Sequence, residues 1–307
     1  MGTPDRFHTL VDVVERVAEE ARVVVVVSAL SQVTRQLDRA AEATAMILDD
    51  RAAHTDDAVQ TLHIRHQEHA AAVLSDAGQG AFADLLEGHM DKLRRILTEA
   101  GPEGVSAAER DRILATGEQL SVPLAMLALQ DAGLDTAWMD ALRLVVTDDR
   151  FGAGNVQPRP TRRRIQERFA EIAPDAVAVA AGFIGTTRSG QPTTLGFEGS
   201  DYSAALFAQM LGAQCLTRFT DIDGLYTADP DTSPDAERLE SLSMETAVAM
   251  TESGRLGMHP KTLRPLAKAG IPMQVRSILD PDAPGTHILP DGATADALIP
   301  RLGRKCV

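Results

Sequence analysis

Five valines in succession, Val23-Val24-Val25-Val26-Val27, followed at once by Ser28, constrain this chain more than any other feature. Branching at Cβ suits a pleated strand. A run with no polar alternation reads as a strand buried on both faces, the environment of a parallel sheet covered by helices. The stretch Asp175 to Phe183 (DAVAVAAGF) repeats the pattern. Val23 to Val27 and Val177 to Ala181 are both expected in the interior of one sheet.

Helical signals surround these runs. Phe7, Leu10, Val11, Val14, Val17 and Ala18 recur at helical spacing behind Pro4, a residue favoured at helix starts. From about Gln32 to Ala132 the chain is rich in Ala and Leu and helical in pattern, with Gly101-Pro102-Glu103-Gly104 as its clearest break. Beyond Gly133 the signals alternate. Thr136 to Met139 and Leu142 to Val146 read as short strands, Thr161 to Ile172 as a helix, and Thr186 to Leu195 as a hairpin turning at Ser189-Gly190. Ser200 to Leu211 is helical, Gln214 to Thr220 extended, Pro260 to Ala269 helical and Pro272 to Ser277 extended. Strands alternating with helices predict the α/β class with a mostly parallel sheet between helices.

Charge removes several functions. The formal net charge is −14, whereas nucleic-acid binding rests on clustered Lys and Arg that neutralise phosphates. The chain has four lysines, Lys92, Lys261, Lys268 and Lys305, so any catalytic lysine is one of these. No apolar run is long enough to span a bilayer, and no secretory leader is evident, so cytoplasm is expected. Cys215 and Cys306 match no metal-binding spacing. His63, His66 and His69 fall at i, i+3 and i+6 and read as a solvated helix face. No metal site of the chain's own is expected.

Four small-residue turns at strand ends are where chemistry is expected. They are Ser28 to Thr34 (SALSQVT), Gly182 to Gly185 (GFIG), Thr193 to Asp201 (TTLGFEGSD) and Thr220 to Pro230 (TDIDGLYTADP). A Gly/Ser/Thr turn leading into a helix offers backbone N–H groups to an anion, and open parallel sheets bind ligands beyond the carboxyl ends of their strands.

Together and in this order the turns resemble aspartokinases, members of the amino-acid kinase family. The likeness runs from about Pro4 to Ile288. It is strongest from Gly182 to Thr286, where TTLG, GSDYSAAL, TDIDGLYTADP, HPKTL, AGIP and DPDAPGT follow the family pattern. The resemblance implies a three-layer α/β/α sandwich with an amino-acid-binding lobe over about 1–185, a nucleotide-binding-like lobe over about 186–290 and a tail over 291–307. It also implies ATP with Mg²⁺, phosphorylation of the aspartate β-carboxylate, and a homodimer. Carried across by position, Ser28 and Thr34 match the substrate loop, Glu118 the acid that meets the substrate ammonium, and Phe183 the aromatic lining the aspartate pocket. Ser200 and Asp201 match the Gly-Ser-Asp at a helix start. Thr220, Asp221, Tyr226 and Asp229 match the nucleotide turn.

Departures from the pattern are as informative. The family's opening Lys-Phe-Gly-Gly-Thr-Ser strand has no counterpart before Met1-Gly2-Thr3-Pro4, and the sequence stops where regulatory ACT domains begin in many relatives of this kind. The Arg that clamps a substrate carboxylate reads Phe197, and a glycine beside it reads Glu198. The Lys before the His-Pro reads Leu256, and the Arg after the Asp-Pro of the nucleotide turn reads Asp231. Phosphoryl transfer depends on cations that offset charge at the transferring group, and losing one such contact costs about 10²–10³ in rate. Arg255 and Lys261 are the cations left to compensate. Three readings follow: a diverged enzyme acting on an amino-acid-like metabolite and impaired toward aspartate, an active ATP-dependent carboxylate kinase, and a non-catalytic subunit serving a partner protein.

Overall fold

The computed structural model describes residues 2–46, 48–228, 232–233, 235–254, 256 and 258–294, leaving aside the side chains of 48–50. These divide into two compact units, one holding the described residues of 2–8 and 24–200, the other those of 9–23 and 201–294.

The chain opens with α1 (Pro4–Ala18). The first unit then runs β1 (Val24–Val27), α2 (Val33–Ala43), α3 (Leu48–Val73), α4 (Asp76–Glu99), α5 (Ala107–Asp131), β2 (Thr136–Met139), α6 (Ala141–Leu144), α7 (Pro158–Glu171), β3 (Val177–Ala181), β4 (Ile184–Thr186) and β5 (Pro192–Thr194). Its sheet is all parallel in the order β1-β3-β2. All five residues of β3 are buried, which requires cover on both faces, and α5 packs against all three strands. The expectation for the valine run is corrected here. β1 stands at the edge of this sheet with alternating burial, because β3 takes the middle and pairs with a strand on each side.

Local signals set the helix limits. Ser106 and Glu109 close a capping box at the start of α5, which satisfies two donors that the first turn leaves without helical partners. Asp131 at the other end of α5 accepts hydrogen bonds from the backbone and hydroxyl of Ser75, both 2.7 Å, and so fastens the α3–α4 turn. Leu142 to Val146 is not a strand. Asp140 accepts from the Leu142 N–H at 3.0 Å and starts the short α6, leaving Val146 to make a single bridge to Thr186.

The histidine face of α3 is not solvated either. His66 is 0% exposed and His69 9%. Their Nδ1 atoms lie 2.7 and 2.9 Å from the carbonyls of Leu62 and Arg65. α3 packs against α2 and α4, and burial lowers the His66 pKa to about 4, so that ring stays neutral.

The second unit continues with α8 (Gly199–Leu211), β6 (Leu216–Thr220), β7 (Leu225–Tyr226), β8 (Arg238–Leu239), β9 (Ser241–Ser243), α9 (Met244–Glu252), α10 (Pro260–Ala269), β10 (Met273–Ser277) and β11 (Thr286–Leu289). Its sheet order is β6-β10-β11-β9, parallel except for the β10–β11 pair. Ala247, Leu263, Leu266, Val275 and Ile288 are fully buried at its centre. Thr286, also buried, donates its hydroxyl to the Leu239 carbonyl and accepts from the Leu225 N–H, pinning β7 beside β8. No described helix is long and apolar enough to cross a membrane.

Candidate functional site

In the first unit the site begins where two parallel strands end together. The Gly182 N–H donates to the Val27 carbonyl at 2.8 Å, so the Ser28 loop and the Gly182-Phe183 turn leave the sheet from adjacent points. Among the described residues three non-glycines adopt positive φ: Gln32 at 69°, Phe183 at 61° and Glu198 at 54°. Each lies in one of the turns marked by the sequence. A left-handed L-residue costs on the order of 1 kcal/mol or more and persists where its surroundings over-determine it. Glycines supply that constraint. A Cβ on Gly182 would stand 2.7 Å from Ser200 Cα, and one on Gly199 would stand 2.7 Å from the Phe183 ring. With Leu195 N–H donating to the Phe183 carbonyl at 2.8 Å, the Phe183 turn and the Gly-Ser-Asp segment pack as one piece.

Glu118 approaches the Ser28 loop from α5. A Cβ on Gly117 would lie 2.8 Å from Ala29 Cβ and 3.0 Å from Val33 Cγ1, so the missing side chain is what lets the helix close on the loop. Glu118 is 2% exposed. Its Oε1 accepts the Ala29 N–H at a long 3.3 Å, and its buried Oε2 has no partner. Burial pushes its pKa up to about 8, against the pull of backbone hydrogen bonds. A carboxylate held this way needs a proton or a cation. Asp111 on the same helix is the contrast. Equally buried, it accepts from Gly152 N–H at 2.8 and 3.0 Å, from Thr194 N–H at 2.8 Å and from the Thr194 hydroxyl at 2.9 Å, and so has a structural part.

The other residues marked in this unit surround the same loops. Ser28, Thr34, Phe183, Glu198 and Ser200 are half-buried. Thr34 sits in the first turn of α2, whose left-handed Gln32 provides no side-chain cap. Phe197 is 81% exposed, so it is no core aromatic.

The second unit holds the remaining marked residues. Asp201 pairs with Arg218 of β6, Oδ2 to Nε 2.9 Å, with the two side chains 25% and 22% exposed. Thr220 is half-buried at the end of β6, and Asp221 is exposed. The Tyr226 hydroxyl donates to Asp223 at 2.6 Å, which raises its pKa. Gly224 closes the turn against Thr286, where a Cβ would come within 2.6 Å of the hydroxyl. Lys261 is half-buried in the first turn of α10, its N–H donating to His259. Leu256 is 4% exposed within the apolar core. Arg255, Asp229 and Asp231 lie outside the described residues, as does most of the tail.

The family model described as "Amino acid kinase family" matches residues 1–277. This chain belongs to that family. Among its relatives is the chloroplastic bifunctional aspartokinase/homoserine dehydrogenase 1 of Zea mays. It is 32% identical over 295 residues, which make up 94% of this chain and 31% of that protein. Lysine-sensitive aspartokinase 3 of Escherichia coli K12 is 34% identical over 197 residues, 63% of this chain and 43% of the relative. The crystal structure of E. coli aspartokinase III in complex with aspartate and ADP superposes with a TM-score of 0.80 at 27% identity, over 96% of this chain and 64% of that one. The chain thus spans between about a third and two thirds of the length of these relatives. Its fold is the α/β fold of aspartokinases, and the likeness supports an aspartokinase catalytic domain in this family member.

The marked residues fall into two sets, one on the loops of the first unit and one on the turns of the second. The sequence reading missed Arg218 and Asp111. Arg218 had a signal, a cation interrupting an otherwise uncharged extended stretch, LTRFT. Asp111 had none, since Glu109-Arg110-Asp111-Arg112 reads as an ordinary solvated helix start.

Proposed function

We propose that the chain is an aspartokinase-type domain that takes an amino-acid-like amine through Glu118, is impaired in ordinary aspartate phosphorylation, and has been repurposed for another metabolite. The observation that carries this reading is the buried Glu118 carboxylate with one partnerless oxygen. Such a group has a high affinity for a ligand ammonium, which supplies charge and hydrogen bonds at once. Ser28, Thr34, Phe183 and Ser200 would surround that ligand. Phe197 stands where the resemblance places an Arg, and an aromatic ring offers no donors to a carboxylate. The favoured ligand therefore carries one negative end fewer than aspartate.

Nucleotide binding is the second half of the reading. The solved aspartokinase III structure contains aspartate and ADP. Here Thr220, Asp221 and Tyr226 lie on a turn that Gly224 and Thr286 hold closed, which fits a nucleotide. Mg²⁺ arriving with the phosphates needs one or two carboxylates rather than a protein cage. Asp221, exposed just past the end of β6, is the acid at hand. With ATP bound, the terminal phosphoryl group would be what is transferred, and Lys261 is a cation on the same unit for offsetting its charge. Leu256 in the core is the observation favouring a weaker or absent transfer step, up to a non-catalytic partner subunit. A homodimer belongs to this reading, and light scattering that shows only a monomer at micromolar concentration would remove it.

Two measurements test the function: calorimetry with aspartate and with singly anionic amino acids, and aspartate-dependent ADP formation. We expect the singly anionic ligands to bind more tightly and aspartate to turn over far below about 1–100 s⁻¹, the ordinary range for kinases. Aspartate turnover within that range would overturn the reading.

A further inference from the structure

We propose that Arg218 is a positioning residue for Asp201, cancelling its charge so that a polyphosphate anion can approach. The inference rests on the nucleotide half of the proposed function. It starts from the strand. In β6 (LTRFT) Arg218 pairs in register with Val275 of β10, so a cation stands within a half-buried strand of the sheet. Its side chain is 22% exposed, and its Nε meets Asp201 Oδ2 at 2.9 Å. Asp201 belongs to the first turn of α8. Other arginines of the unit serve other ends: Arg16 meets Asp282, Arg264 meets Glu252, and Arg238 donates to the Gly285 carbonyl and stands 3.9 Å from Asp223. Among these four, Arg218 is the one whose partner is a marked site residue.

At about one quarter exposure, water screens Asp201 incompletely, so its charge acts on neighbours more strongly than a surface carboxylate would. An uncompensated carboxylate facing a nucleotide repels it. A guanidinium on that carboxylate makes the pair neutral, and its planar fork also fixes where the oxygens lie. The rival explanation is a simple clasp between β6 and α8. A clasp predicts lost stability with ligand affinity intact.

The experiment is a double-mutant cycle read by calorimetry with MgADP and by thermal unfolding. Arg218→Met should weaken MgADP binding about tenfold or more, since Asp201 is left uncompensated. Asp201→Asn should leave affinity unchanged or raise it. The combination of both should return affinity to within about threefold of the unmodified protein, because no charge remains to be cancelled. Arg218→Lys keeps the charge and guards against a folding failure of the Met variant; it should recover much of the affinity. Three results would overturn the proposal. They are unchanged MgADP affinity in a folded Arg218→Met protein, a loss that Asp201→Asn does not reverse, or no MgADP binding by the unmodified protein. Calorimetry with singly anionic amino acids on the same samples separates the two ideas. A protein that binds MgADP through this pair but takes no amine would sink the Glu118 reading and leave Arg218 standing.

Discussion

In the first unit the site's buried acid, Glu118, is 2% exposed and has one oxygen without a partner, whereas in the second unit Asp201 already faces Arg218 at 2.9 Å. The difference extends to the backbone. On the loops of the first unit, Gln32, Phe183 and Glu198 stand in left-handed conformations, Phe183 against Gly199. The Thr220 to Tyr226 turn of the second unit exposes Asp221 and Asp223, and the unit's apolar core takes in Leu256. Strain and a buried polar atom without a partner are costs that a fold keeps where something outside the chain offsets them. Satisfied pairs and closed cores need no such ligand. On the proposed reading, amine recognition is the more firmly built of the two functions.

The largest effect is expected from Leu256→Lys, which restores the residue that the resemblance calls for. If the second unit has closed over this position, a buried ammonium without a partner should cost about 3–5 kcal/mol of stability. Urea midpoints would show it, with no gain in ADP formation. A stable variant that gains activity would mean the position still opens onto the nucleotide. Next comes Glu118→Gln. An amide cannot supply the charge that an ammonium seeks, so calorimetry should show affinity for singly anionic amino acids falling about a hundredfold, within the range for cutting a buried charge pair. An unaltered affinity would remove Glu118 from the site.

A third experiment uses pH. Burial raises the Glu118 pKa to about 8, and no charged side chain contributes to that shift. Near neutrality the empty site therefore holds a neutral acid, which must surrender its proton before an ammonium can dock. Affinity should climb almost tenfold per pH unit from about 6 and flatten above about 8, with a proton released on binding. Calorimetry in buffers of different ionisation enthalpy counts that proton. Stability runs the other way. A raised folded-state pKa contributes stability that is complete below the unfolded carboxyl value and is lost as pH climbs through the folded one. Glu118→Gln, which cannot ionise, should gain on the unmodified protein between pH 5 and 8. A flat affinity profile would place a cation beside Glu118 already.

Much of this architecture was legible because periodicity and turn chemistry are local. The buried β3, the hairpin at Ser189-Gly190 and the helix starting at Pro260 follow from a few consecutive residues. What escaped depends on partners far apart in the chain. The edge placement of β1 follows from β3, about 150 residues later, taking the middle of the sheet. The burial of His66 and His69 depends on the packing of α3 against α2 and α4. The site divides the same way. Glu118, Phe183 and the Gly-Ser-Asp segment stood out through sequence resemblance, while the Arg218–Asp201 pair exists only once β6 lies beside the start of α8.

The smallest expected effect is the most specific test of the contrast: Phe197→Arg combined with Glu198→Gly. Phe197 is 81% exposed, so the ring contributes little to packing and its replacement should leave the unfolding temperature nearly unchanged. Glu198 holds φ at 54°, a conformation that glycine adopts without strain, so that half of the change should be neutral or mildly stabilising. The double variant removes a negative charge and adds a planar fork able to accept a carboxylate with two hydrogen bonds. Because the position is exposed, water competes for the new pair, and the gain in aspartate affinity should be about tenfold rather than more. Turnover should rise less than affinity, since Leu256 and the second unit are untouched. Calorimetry and ADP formation, measured on one sample, separate the two. If aspartate affinity does not move, the loss of the carboxylate clamp is not what distinguishes this pocket, and the preference for singly anionic ligands must come from the loops around Ser28 and Phe183. If turnover rises as far as affinity, the nucleotide side is competent as it stands, and the division between a well-built amine site and a weakened transfer site falls.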